Sequence, residues 1–184
     1  AAVAVGFAAA VTLPRAGNIG GGGYMLAHMA ATPERAAETI AIDYYGQASR
    51  NTTPDLLIGA DGKLDSGKVM SMKGVTIPGT VAGLWEAHRR YGTLSWRSLV
   101  APAIALAERG VTLSDDEAKA HADQARLMAD DPAALAIFFR ADGRAFRPGD
   151  RFRQRDLAAT LRIIAARGAD GFYKGPVAAR IVAG

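Results

Sequence analysis

The run Gly17-Asn18-Ile19-Gly20-Gly21-Gly22-Gly23-Tyr24 is the segment of this chain that most demands a reason. Four consecutive glycines cost backbone entropy on folding, so some geometric requirement must favour them. A phosphate cradle is one such requirement, but a P-loop continues into Gly-Lys-Ser/Thr and a helix. Neither follows here. The dinucleotide fingerprint sits between a strand and a helix, whereas this run comes after a helical pattern and before a strand pattern. The reading left is close backbone packing at the entry to a strand, or the floor of a pocket.

Other candidate chemistry is sparse. The chain has three histidines, His28, His88 and His121, none with a second histidine at metal-ligand spacing or a carboxylate pair beside it. They read as ordinary surface or packed histidines. There is no Gly-x-Ser-x-Gly elbow and no evident triad, and the carboxylates are scattered. The absence of cysteine removes disulfide frameworks, thiolate zinc sites and cysteine nucleophiles. Arg140, Arg144, Arg147, Arg151, Arg153 and Arg155 cluster among Gly, Pro and Asp, as in a solvated loop preceding a helix. The net charge of +4 is mild for 184 residues, and acids are interspersed with the bases, so no nucleic-acid partner is expected. Asn51-Thr52-Thr53 fits a glycosylation acceptor, relevant only to a eukaryotic secreted protein.

The elements that must position these residues are legible from pattern. Ala1 to Val11 is almost wholly apolar and alanine-rich, which predicts a buried helix. Tyr24 to Met29 and Thr39 to Tyr45, separated by a polar stretch with Pro33, predict a hairpin. Residues 46–76 are polar and predict a long irregular excursion with a turn at Asp61-Gly62. Gly79 to Tyr91 places Val81, Leu84, Trp85 and His88 at helical spacing. Leu94 to Arg109 is a second helix, kinked or bounded at Pro102. Ser114 with Glu117 predicts a capping box opening a helix to about Ala129. Pro132 to Phe138 is a short helix or strand. Gln154 to Arg167, and a segment from Pro176, close the order. Hydrophobic residues make up 49% and charged residues 22%, ordinary for a globular α/β (α+β) chain treated as a single domain over 1–184. No apolar run reaches the roughly 18 residues of a membrane span. Both ends fall inside helical patterns, which suggests a piece of a longer polypeptide.

Together the segments GNIGGGGYML, AIDYYGQAS, VTIPGTVAGLWEAHRRYGT, VAPAIALAERG, RPGDRFRQRDLAATLRIIAARGADGFYKG and VAARIVAG resemble, in order and over essentially the whole chain, the γ-glutamyltranspeptidase family. The resemblance implies an N-terminal nucleophile amidohydrolase, made as a precursor that cuts itself into a large and a small subunit. It implies a four-layer α-β-β-α sandwich of which this chain supplies part, as a portion of the large subunit. The nucleophile of the family is the threonine at the start of the small subunit. The implied partner is therefore that subunit, the substrate a small amide, and no catalytic residue is placed in this chain. No cofactor or metal is implied, and family members are often exported to the periplasm or secreted.

One departure from the family pattern bears on substrate. The family reads Asp-Phe-Arg-Glu after the second strand, and its arginine grips the α-carboxylate of the glutamyl group. Asp43, Tyr44, Tyr45 and Gly46 stand in those places here. Tyr45 is thus the candidate substrate-binding residue, offering a ring and a hydroxyl but no positive charge. Arg50 is the nearest replacement cation in sequence. Relatives without γ-glutamyl specificity, the cephalosporin-type acylases and oxamate-type amidohydrolases, offer the alternative reading, as does a non-catalytic fragment.

Overall fold

The computed structural model describes residues 1–183; Gly184, which ends the closing VAARIVAG segment, lies outside the described residues. In chain order the elements are α1 (Ala2–Thr12), β1 (Tyr24–Met29), β2 (Glu38–Asp43), α2 (Ser66–Val69), α3 (Thr80–Tyr91), α4 (Trp96–Arg109), β3 (Val111–Thr112), α5 (Asp115–Asp123), α6 (Ala125–Met128), α7 (Pro132–Phe138), β4 (Arg151–Phe152), α8 (Arg155–Arg167), α9 (Asp170–Tyr173) and α10 (Pro176–Ala183). A 3-10 turn covers Met72–Gly74. The helices accompany two antiparallel two-stranded sheets, β1–β2 and β3–β4, an α+β arrangement. The chain gathers into two compact units, one of Ala1–Asn18 with Ala87–Gly184 and one of Ile19–Glu86.

In the first unit α4 packs against both α1 and α8. On α1 the buried residues are Val3, Phe7, Ala10 and Val11, a single stripe at helical spacing. On α4 they include Leu99, Val100, Ala103 and Ala107, and on α8 Ala158, Leu161 and Ile164. Small alanines on α4 let its neighbours approach closely. Trp96 ties the three helices together. Its ring meets Phe7 edge to face at 5.3 Å, and its indole N–H donates to the Ile164 carbonyl at 2.9 Å. Gln154 Nε2 donates to the Val11 carbonyl at 2.8 Å, capping the end of α1 from the start of α8. Helix α4 runs unbroken through Pro102. Pro102 and Ser98, whose carbonyl loses its partner, both lie on the exposed side, where water can serve that carbonyl.

A second apolar cluster joins Leu113, Ala118 and Phe152 with Val111, Phe138 and Phe146. Strands β3 and β4 pair Val111 with Phe152 and Thr112 with Arg151. Only half of the capping box expected at Ser114 forms. Ser114 Oγ accepts from the Glu117 amide at 3.2 Å, but the Glu117 carboxylate turns instead to Arg15, whose Nε lies 2.7 Å from Oε1. The helix begun there breaks at Gln124 rather than continuing to Ala129.

In the second unit β1 and β2 form the expected hairpin, registered from Tyr24 opposite Asp43 to Met29 opposite Glu38. The polar excursion holds the short helix α2, capped by Asp65, whose carboxylate accepts from the Gly67 and Lys68 amides. Gly62 adopts φ +74° in the turn that follows Asp61.

Candidate functional site

The glycine run proves to be a packing device. Beyond the last registered pair of the hairpin, Gly23 and Tyr44 exchange backbone hydrogen bonds, N–H to carbonyl, at 3.3 and 2.9 Å. A methyl group built on Gly22 would stand 2.6 Å from the Tyr44 carbonyl oxygen and 2.8 Å from both the Gly46 nitrogen and Tyr45 Cα. Only a residue without Cβ lets the two backbones lie this close. The Gly21 carbonyl accepts from the Gly79 amide at 2.8 Å and the Thr80 amide at 3.1 Å. It thereby satisfies two donors at the start of α3 that the helix itself leaves unpaired.

Gly79 and Gly83, one helical turn apart, receive Tyr44. A Cβ on Gly79 would strike the Tyr44 carbonyl, and one on Gly83 would strike Tyr44 Cβ, Cγ and Cδ1. The far end of the same ring, Cε2, Cζ and Oη, lies 3.1–3.3 Å from the Cβ position of Gly23. Tyr44 is therefore wedged between two glycines. Successive residues of an extended chain face opposite ways, so Tyr45 is turned outward and is 61% exposed. Asp43 Oδ1 accepts from the Tyr45 amide at 2.9 Å, an Asx-type turn that fixes the backbone there. The Tyr45 ring stacks on Tyr24, with centroids 5.7 Å apart and planes 15° from parallel. Tyr24 is 69% exposed. Gly46 has no room for a side chain because of the Thr76 hydroxyl, and Gln47 and Ile77 close the segment with reciprocal backbone hydrogen bonds of 3.1 and 2.8 Å.

The structure thus brings three segments named in the sequence to one place: the glycine run, Asp43–Gly46 and the Pro78–Gly83 helix start. Sequence reasoning missed Tyr24, the stacking partner of Tyr45. It also missed the reason for Tyr44. The i, i+4 spacing of Gly79 and Gly83 was the signal that could have found the second. Arg50 is exposed on the turn beyond.

The histidines stay apart. His28 Nδ1 lies 2.9 Å from the Thr39 hydroxyl in a cross-strand pair, about 13 Å along β1 from Tyr24. His88 Nε2 donates to the Leu94 carbonyl at 2.8 Å, with its ring against Trp96. His121, 4% exposed, lies among Phe138, Phe146 and Phe152 with neither ring nitrogen hydrogen-bonded. Burial there pushes its pKa below the ordinary imidazole value, while the Glu117 carboxylate acts in the opposite direction. The arginine cluster mostly fastens its own loop. Arg140 pairs with Asp150 and Asp142, Arg151 donates to the Gly110 carbonyl and Arg153 to that of Arg109. Among the described residues no helix is long and apolar enough to cross a membrane.

The sequence profile of the gamma-glutamyltranspeptidase family matches residues 1–184. The glutathione hydrolase proenzyme of Pseudomonas sp. (strain A14) is 39% identical over 184 residues, all of this chain and 31% of its own length. An oxamate amidohydrolase proenzyme of Klebsiella pneumoniae is 36% identical over 189 residues, covering 100% of this chain and 34% of its own. The crystal structure of Helicobacter pylori gamma-glutamyltranspeptidase superposes with a TM-score of 0.90 at 36% identity, over 98% of this chain and 50% of that one. The chain spans about a third of the curated relatives it matches and half of that solved chain. With the profile matched from the first residue to the last and the backbone superposing so closely, this chain belongs to the gamma-glutamyltranspeptidase family.

Proposed function

We propose that this chain is part of the large subunit of an amide hydrolase or acyltransferase that works through the N-terminal threonine of a partner subunit cut from the same precursor. The observation carrying this reading is the family match across all 184 residues, together with relatives named as proenzymes. A threonine hydroxyl is a weak nucleophile, and its own α-amino group can act as the adjacent base. Attack on an amide carbonyl releases the amine and leaves an acyl-enzyme, which water or a second amine resolves. Hydrogen-bond donors aimed at the developing oxyanion supply much of the rate. Nucleophile and base belong to the partner subunit. The share of this chain is one wall of the acyl pocket, with Tyr45 facing the acyl group.

Tyr45 supports a narrower reading, an amidohydrolase that does not favour γ-glutamyl groups. Hydrogen bonds to a charged group contribute about 1.5–3 kcal/mol each, and a tyrosine at the place of the family's arginine forgoes the guanidinium–carboxylate contact. The relative named as an oxamate amidohydrolase proenzyme is consistent with such a divergence. Mass spectrometry of the purified full-length product tests the catalytic reading. Two chains are expected, the second beginning with threonine and gaining the mass of the acyl group when an amide-type inactivator is added. A single uncut chain under all conditions refutes it.

A further inference from the structure

We infer that Tyr24 is a second specificity-determining residue, which backs the Tyr45 ring in a stacked aromatic platform for an uncharged, planar acyl group such as an arylacetyl amide; this rests on the acyl-pocket placement of Tyr45 proposed above. The two rings lie 15° from parallel at a centroid distance of 5.7 Å, the geometry of an offset stack. Exposed aromatic side chains on a strand usually sample several rotamers. Here the Tyr45 backbone is fixed by the Asp43 carboxylate and the close approach of Gly22, while the Tyr44 ring is wedged by Gly23 and Gly83. Tyr24 sits directly opposite Asp43 in the hairpin register, so its ring is carried to Tyr45 by the sheet itself. One face of the Tyr45 ring is thereby occupied, and the residue is 61% exposed in this chain.

The charges around this platform select against an anionic acyl tail. The Asp43 carboxylate, on an exposed residue, stands at the platform's edge, opposite Tyr24 in the register and two residues before Tyr45. Arg35, on the same hairpin, is 3.8 Å from Glu38 at the opposite end of the strands. A glutaryl or γ-glutamyl tail placed on the rings would meet the Asp43 carboxylate, whereas a neutral ring would gain a stacking partner.

The test uses the processed full-length enzyme with phenylacetyl-, glutaryl- and γ-glutamyl-p-nitroanilide. The wild type should favour the phenylacetyl substrate in kcat/KM. Tyr24→Leu should raise KM for that substrate by about threefold to tenfold, with the loss falling on KM rather than kcat. Tyr24→Phe, which keeps the ring, should restore the wild-type KM. Equal losses on all three anilides, or no change in the phenylacetyl KM, would overturn the platform while leaving the amidohydrolase reading standing. An enzyme that cleaves none of the three, and takes no label from an amide-type inactivator, refutes the catalytic reading and the platform with it.

Discussion

Replacing Gly83 by alanine sets helix propensity against packing, and the two predict opposite signs. In a helix interior alanine is favoured over glycine by about 1 kcal/mol, so a position chosen only for its helical context should gain stability. At position 83 of α3 the new methyl group would fall on Tyr44 Cβ, Cγ and Cδ1. These atoms lie at the root of the side chain. Rotating the ring away does not move Cβ, and the ring's other end is already against Gly23. Relief must come from a backbone shift in α3 or at the end of β2, where Gly22 and Gly79 leave no slack against the Tyr44 and Tyr45 backbone. Overpacking costs about 1–3 kcal/mol, and the upper end applies because the clash is with anchored atoms. Subtracting the propensity gain leaves a net loss of about 2 kcal/mol, roughly thirtyfold in the folding equilibrium.

The assay is urea denaturation of the processed full-length protein, read as a lowered midpoint for Gly83→Ala. A cycle with Tyr44→Ala isolates the contact, because that change removes two of the three struck atoms. The double variant should cost less than the sum of the singles by about 1 kcal/mol. An unchanged or raised midpoint for Gly83→Ala, or additivity within about 0.5 kcal/mol, would refute the wedging of Tyr44 between glycines. It would also remove the reason for Tyr45 to face outward.

Three further outcomes are expected. Tyr45→Arg should raise kcat/KM for γ-glutamyl anilides by about 10- to 100-fold, as one restored charge-assisted hydrogen bond implies; no change on either γ-glutamyl or glutaryl substrates retires the placement of Tyr45. The lowered pKa of His121 means the folded state binds its proton less readily than the unfolded chain, so stability is lost as pH falls from the ordinary value of 6.5 towards the depressed one, by at most about 1.4 kcal/mol per pH unit. Urea midpoints at pH 7.5 and 5.5 should diverge less in His121→Phe than in the wild type, and parallel shifts in both would count against this. Trp96→Phe should destabilise by about 1 kcal/mol, the loss of one hydrogen bond, because the Ile164 carbonyl gives up the indole N–H but keeps the Gly168 amide at 2.8 Å; the same midpoint should fall accordingly.

Elements with local signals were legible in the sequence. Helix α1 announces itself by alanine content, α3 by apolar spacing, and the hairpin by two β-rich runs around a polar stretch. The misses share a physical cause, dependence on residues distant in sequence. Strands β3 and β4 are two residues each and pair Val111 with Phe152 across some forty residues, so no local pattern marks them. Glu117 leaves the capping box because Arg15, a hundred residues earlier, offers an opposite charge. At the site, the need for four glycines was visible but their partners were not. Gly22 answers to the backbone from Tyr44 to Gly46, Gly23 to the Tyr44 ring, and Gly21 to the start of α3. The Tyr24–Tyr45 stack follows from the register of β1 on β2, which residue types alone leave open.

The same packing bears on whether Tyr45 marks a decayed site or a redirected one. Gly22, Gly79 and Gly83 each abut Tyr44 or its neighbours closely enough to forbid a side chain, and so fix the backbone that presents residue 45. Asp43 still binds the residue-45 amide, and the ring at position 45 is held flat against a second aromatic. On the proposed placement of Tyr45 in the acyl pocket, this fixed backbone and ring are what a change of acyl specificity would use. It is also why Tyr45→Arg is expected to deliver a guanidinium to a backbone already shaped to present it.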